Sequence, residues 1–170
     1  MREITNQDRA DRARHAVTAY TSTILTSRPG NDAWQLALAG QHAAERFAQA
    51  TRRSPKEHTL LDAEHACEVI GDLVGDLFHL FRAADERAQA EDLAAAVLSL
   101  IRPGRTTAAR DLAFLTKTAP GTYVVAETAA AALTAAAVLY ELDVDALLRQ
   151  ACGRFAQEVE DEIDDIEPPF

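Results

Sequence analysis

Four residues recur at intervals of seven in the middle of the chain: His58, His65, Asp72 and His79. At 100° per residue they fall on one narrow stripe of a helix, which Asp62, Glu68 and Asp76 join at spacings of three or four. Imidazoles and carboxylates one turn apart converge on a divalent cation, so Glu64, His65, Glu68, Asp72, Asp76 and His79 form a candidate metal site. The rest of the circumference is apolar, with Leu60, Cys67, Ile70, Leu73, Val74, Leu77, Phe78 and Phe81. The plainer expectation, which this pattern favours, makes the stripe the wet side of an otherwise buried helix. Gly71 and Gly75 lie beside it, where another helix could come near. Paired Glu-x-x-His helices, as di-iron chemistry needs, are approximated only by Asp76-x-x-His79. The chain has no Gly-rich phosphate loop, no Ser/His/Asp order and no Cys-x-x-Cys pair.

The segment Glu64-His65-Ala66-Cys67-Glu68 resembles the E-E-x-x-E motif of the MazG-like all-α nucleoside-triphosphate pyrophosphohydrolases, with His65 in place of the second Glu. The resemblance implies a helical bundle that holds Mg²⁺ with these acids and with a later E-x-x-D. Glu127 is similar to the first acid of that later motif, but Ala130 stands where the second is expected. The likeness covers two helices. The run Asp72-Leu73-Val74-Gly75-Asp76-Leu77-Phe78-His79 is also similar to small helical proteins of actinobacteria and their phages, which implies lineage and no chemistry.

A second feature lies at the other end. Residues 158–167 hold seven acids and no base, which leaves −3 of the formal net charge of −10 for everything before them. The sequence then closes on Asp164-Asp165-Ile166-Glu167-Pro168-Pro169-Phe170. This string resembles the C-terminal tip of bacterial single-stranded DNA-binding proteins, in the actinobacterial form, with Ile166 as an interruption. Nothing upstream is similar to the OB-fold of that family. The resemblance implies a docking peptide for replication, recombination and repair enzymes, with Phe170 as hydrophobic anchor, Pro169 as its proline, and Asp164, Asp165 and Glu167 as its acids. Asp161, Ile166 and Pro168 complete the expected partner-binding set.

The physics of such a tip is simple. A terminal Phe offers an aromatic ring and an α-carboxylate on one residue, which suits a hydrophobic pocket with a basic rim. Consecutive prolines hold the approach extended, and the acids steer association in a salt-sensitive way. The expected partner is therefore a protein such as a helicase or nuclease. The bland alternative is a solubilising acidic tail that happens to end in Phe.

Local punctuation divides the chain into helices. Thr5-Asn6-Gln7-Asp8 caps a first helix to about Ser22 or Leu25; Pro29-Gly30 breaks it, and Asn31 or Asp32 caps a second to about Ala50. Ser54-Pro55-Lys56-Glu57 is a capping box with Pro at the first helical position, predicted to open a central helix reaching about Ala84. Further helices are predicted from about Glu86 to Ile101, from Thr106 or Thr107 to about Lys117, from about Tyr123 to Leu142, and from Val144 into the acidic end. Ala129–Ala137 would let neighbouring helices approach closely. Trp34, Arg52, Arg53 and Lys56 form a small basic-aromatic neighbourhood, read as a solvated helix end. The expected fold is all-α: a six- or seven-helix bundle over residues 1–157, followed by an acidic tail over 158–170 that ends in Pro-Pro-Phe.

Composition agrees. Alanine supplies 35 of the 170 residues while Gly and Pro together supply 13, a balance that favours helix over a turn-rich β chain. The acidic charge argues against direct binding to nucleic acid or to an anionic bilayer. A body charge of only −3 argues against DNA mimicry by the whole surface. The longest apolar run without a charge, Thr128 to Tyr140, is shorter than the ~20 residues of a membrane span. The first residues carry no apolar signal stretch, and Cys67 and Cys152 are expected as reduced thiols, so the expected location is cytoplasmic. The favoured expectation is a non-enzymatic accessory protein without a cofactor, docking through its tip, with a body that binds a second partner or self-associates. The alternative is a Mg²⁺-dependent pyrophosphohydrolase.

Overall fold

Thr5 begins the first helix by a reciprocal cap. Its hydroxyl accepts the Asp8 N–H at 3.1 Å, and the Asp8 carboxylate accepts the Thr5 N–H at 3.0 Å. The helix that follows, α1, spans Asn6–Ser27. The computed structural model describes residues 3–27, 33–86, 89–101 and 121–164. Five more helices are present there: α2 Ala33–Thr51, α3 Ala63–Ala84, α4 Ala90–Ile101, α5 Thr122–Tyr140 and α6 Val144–Asp164. Among the described residues there is no strand, and the fold is an all-α bundle. The helix expected between Thr106 and Lys117 lies outside the described residues.

The capping box at Ser54 does form in part, since the Glu57 carboxylate accepts the Ser54 N–H at 3.3 Å. It opens only a single 3₁₀ turn, Pro55–Glu57, and not the long helix expected from it. A second cap overrides it. Asp62, in an extended conformation, accepts the His65 N–H at 2.9 Å and starts α3 at Ala63. The connector between the two caps is tied down by tertiary contacts. Leu60 is buried, and its carbonyl accepts the Tyr140 hydroxyl at 3.0 Å.

α3 and α5 each pack against every other described helix. The core between them holds Ile70, Leu73, Leu77 and Phe78 of α3 and Leu133 of α5, with Phe47 of α2 and Leu93 and Val97 of α4. Each large side chain buried there stabilises the fold by roughly 1.5–3 kcal/mol before cavity terms. Phe155 of α6 closes one end, edge-on to Phe78 with ring centroids 5.7 Å apart.

α2 and α5 both bury alanines, and their backbones approach tightly at Gly40. A Cβ there would collide with the Ala131 carbonyl and stand 2.7 Å from the Ala132 nitrogen. The close approach expected beside the polar stripe is therefore here instead. At Gly71 the nearest atom to such a Cβ is a Leu147 methyl at 3.8 Å, and at Gly75 nothing lies within 4 Å.

α5 is long and apolar enough, by length and composition, to cross a bilayer, but two thirds of that window is buried inside the bundle. It stops at Glu141, whose φ of 55° is left-handed, with the Leu142 N–H bonded back to the Ala136 carbonyl at 3.0 Å. Asp143 then caps α6 by accepting the Ala146 N–H at 3.1 Å. The expected boundary between residues 157 and 158 falls inside α6, which continues to Asp164.

Candidate functional site

The stripe divides according to depth. His58 is not on α3 at all, because the helix begins five residues later. Its Nε2 lies 2.9 Å from the Arg52 carbonyl, and the Nε2 of His65 lies 2.9 Å from the Glu57 carbonyl. Since a carbonyl only accepts, each ring donates from Nε2 in this arrangement. Glu64 and Glu68 are exposed, and Asp72 is half-buried. Asp76 and His79 are buried, at 5% and 3% exposure. The expectation of a wet stripe therefore holds for the first turns of α3 and fails for the last ones. The seam between α1 and α6 covers those positions.

Three acids of the stripe, Glu68, Asp72 and Asp76, meet arginines. Arg52 bonds Asp72 at 2.6 Å and Glu68 at 3.3 Å, and Arg154 of α6 takes the other oxygen of Asp72. Arg52 is thus a counter-ion, not part of a solvated basic patch. Arg12 of α1 places Nε and a terminal guanidinium nitrogen 3.1 and 3.0 Å from one oxygen of Asp76. His79 Nε2 lies 2.8 Å from the Glu158 carboxylate, whose second oxygen bonds Arg9 at 3.1 Å.

The two buried-seam carboxylates are pushed in opposite directions. Burial raises Asp76 to about 7, with the neighbouring Glu158 adding to the rise and Arg12 opposing it. Burial also pushes Glu158 upward, but the His79 hydrogen bond and Arg9 outweigh it and hold that carboxyl below the usual range. The seam therefore combines one carboxyl that resists ionisation with one that favours it.

Glu127, on α5, is not part of this seam. It is half-buried and raised by burial against the opposing effect of Tyr123; burial, with Glu127 adding to it, also pushes the phenol of Tyr20 on α1 up. Ala130 is packed in the core. Among the described residues no group of three or more His, Cys, Asp or Glu side chains comes together to hold a metal ion. Glu64, His65, Glu68, Asp72, Asp76 and His79 are strung along α3, not gathered around a point.

Two cavities flank the stripe. One of about 490 Å³ lies between α3 and α6, lined by Glu64, Cys67, Glu68, Leu142, Gln150 and Arg154. The other, about 270 Å³, lies between the ends of α1, α3 and α6, beside His79 and Arg82. Cys67 and Cys152 are half-buried and unpaired, and burial, helped by Glu91, pushes the Cys152 thiol up.

Of the expected partner-binding residues, Asp161 is exposed on α6 and accepts the Gln157 side-chain N–H at 2.8 Å. Asp164 is the last residue of that helix. Asp165, Ile166, Glu167, Pro168, Pro169 and Phe170 lie outside the described residues.

Sequence reasoning missed the basic half of the seam. Arg9 and Arg12 are three apart on α1, and Arg154 and Glu158 are four apart on α6, so each pair shares a helix face. That spacing was available as a signal, but its target on α3 was not. Comparison with known proteins assigns no family: no family model, no curated protein and no solved structure matches this chain.

Proposed function

We propose that this protein is a non-enzymatic accessory protein whose acidic tip docks into a basic-rimmed hydrophobic pocket on a DNA replication, recombination or repair enzyme, recruiting or blocking it. The observation that carries this reading is the course of α6. Among its described side chains the last buried one is Phe155; beyond it Glu160, Asp161, Glu162 and Ile163 are exposed, and the sequence Asp164 to Phe170 follows directly. An exposed acidic helix end, followed in the sequence by Asp-Ile-Glu-Pro-Pro-Phe, supports this reading because charge that can steer association then precedes an aromatic residue. Burying the Phe170 ring contributes roughly 1.5–3 kcal/mol, and its α-carboxylate, where free, pairs with the basic rim. The helical body supplies a separate surface for a second partner or a second copy of the chain.

Competition binding tests this. The probe is a bacterial helicase or nuclease that recognises the tips of single-stranded DNA-binding proteins, mixed with this chain and with a synthetic Asp164–Phe170 peptide as competitor. Deleting Phe170, or adding one alanine after it, abolishes binding, and raising the salt concentration weakens it. Binding that survives both changes overturns the reading.

A further inference from the structure

We infer that the last turns of α6, from Ala156 to Asp164, form a strap held to the body by two side-chain clasps, Glu158 and Glu162, and built to unwind when they open. Apolar anchorage thins after Phe155, with Val159 alone, among the described side chains, still packing against the core. Of the residues after it, only Glu158 and Val159 are even half-buried among those whose side chains are described. The helix end also works against itself. Glu158, Glu160, Asp161, Glu162 and Asp164 crowd the carbonyl end of α6, and no basic residue lies in its last turn. Negative charge at the negative end of a helix dipole disfavours the helix.

Both clasps reach α1. Glu158 bonds Arg9 of α1 as well as His79 of α3. Glu162 accepts the Asn6 N–H at 3.3 Å and also meets the Asn6 side-chain amide. Asn6 opens α1, so the Glu162 carboxylate sits at the positive end of a second helix, which offsets the repulsion at its own. Beside the strap lies an open cleft of about 270 Å³, between Val159 and Ile163 on one side and His79 and Arg82 on the other. Polar clasps beside an open cleft, at the end of an acid-rich helix, make a segment of low local stability.

Unwinding changes reach. Nine residues span about 14 Å as helix and about 30 Å extended, so an open strap moves the start of the tip well away from the body. This use of the strap rests on the docking reading; the unwinding itself does not, because its measurement needs no partner.

Hydrogen exchange by mass spectrometry on the full chain at pH 7 is the test. The variants are Glu158→Ala, Glu162→Ala and their double, with Glu160→Ala as an exposed-acid control. Alanine raises helix propensity and removes repulsion, so on local grounds alone each variant would protect the strap. With clasps, the double variant instead speeds exchange over residues 156–164 by about tenfold or more, and by a clearly larger factor than the α3 amides, which follow only the global loss that comes from removing the Glu158 charge beside His79. The control leaves the strap unchanged or slower. Strap exchange that is unchanged or slower in the double variant, or that rises equally in α3, overturns the inference. Failure of tip binding with a confirmed strap overturns only the docking reading.

Discussion

His79 on α3 and Glu158 on α6, 79 positions apart in sequence, lie 2.8 Å apart through Nε2 and a carboxylate oxygen, with the imidazole almost wholly buried. The ring also tilts against Phe155, at a centroid distance of 4.7 Å, so the polar contact sits on the rim of the apolar core. Removing one partner leaves the other with its desolvation cost and no compensation. Glu158→Gln keeps a hydrogen-bond acceptor but loses the charge that faces Arg9, and it is expected to cost about 1–2 kcal/mol in urea unfolding. His79→Ala adds a cavity against Phe155 and costs about 2–4 kcal/mol. Equal midpoints for the two variants would show that the pair does not couple to the core.

The seam gives stability a specific dependence on pH. Asp76 is raised to about 7 in the folded chain, so between about pH 4 and about pH 7 the folded state holds a proton that the unfolded state has released. Stability therefore falls as pH rises through that window, with a slope approaching 1.4 kcal/mol per unit from this group. Glu158 acts with the opposite sign. Its lowered value contributes stability that is present above the ordinary carboxylate range and is lost as pH falls through the folded value. The expected profile peaks near about pH 4 and declines on both sides of it. Asp76→Asn cannot ionise, and urea midpoints from pH 5 to 8 should then lose the alkaline decline. A variant with an unaltered profile would locate the titration elsewhere.

Gly40 is fixed by its neighbour, not by its own dihedrals. A methyl group there meets the Ala131 carbonyl and the Ala132 nitrogen, both backbone atoms of a buried helix that cannot swing aside. Gly40→Ala would gain helix propensity in an exposed setting, by about 1 kcal/mol. Here overpacking wins, and α2 must move off α5 at a net cost of about 1–3 kcal/mol. Circular dichroism should show a melting temperature lower by several degrees with helix content retained. A higher melting temperature would mean that α2 and α5 separate more easily than their packing implies.

The same contrast explains what the sequence disclosed. Caps and breakers act within four residues, so the starts of α1 and α6 could be read from Thr5 with Asp8 and from Asp143. Two valid caps eight residues apart, Ser54 and Asp62, could not be ranked locally. The choice between them depends on Leu60 being held under Tyr140, a contact 80 positions away. The stripe on α3 was legible as a set of residues. Its partners were not, because Arg12 lies 64 positions from Asp76 and Arg154 lies 82 from Asp72. A helical wheel gives a face but not what covers it, and the cover here turns a hydrated edge into a seam of ion pairs.

Glu141 supplies a local test at the end of α5. Its φ of 55° places an L side chain in the left-handed region, where a non-glycine residue carries strain. Glu141→Gly releases that strain, and the Leu142 N–H to Ala136 carbonyl bond that the turn makes is kept. The gain is expected to be about 0.5–1 kcal/mol, offset in part by the greater freedom of glycine in the unfolded chain. A loss of stability would instead assign the Glu141 side chain a contact that holds the α5–α6 turn.

Divalent cations discriminate between the two chemistries the stripe suggests. Both oxygens of Asp72 are held by guanidinium groups, one from Arg52 and one from Arg154, and Asp76 is held by Arg12. A cation entering here must displace a positive charge already in place, and must do so at carboxylates strung along a helix instead of gathered at a point. Millimolar Mg²⁺ or Mn²⁺ is accordingly expected to leave the melting temperature within about one degree, because a ligand that does not prefer the folded state does not stabilise it. The double variant Arg52→Gln with Arg154→Gln removes the resident counter-ions. It leaves Glu68 and Asp72 uncompensated, lowers stability, and makes the melting temperature rise with added Mg²⁺. If the unsubstituted chain itself gains several degrees from Mg²⁺ and releases pyrophosphate from a nucleoside triphosphate, with release lost in Glu68→Gln, the arginines are exchangeable placeholders and α3 belongs to an enzyme.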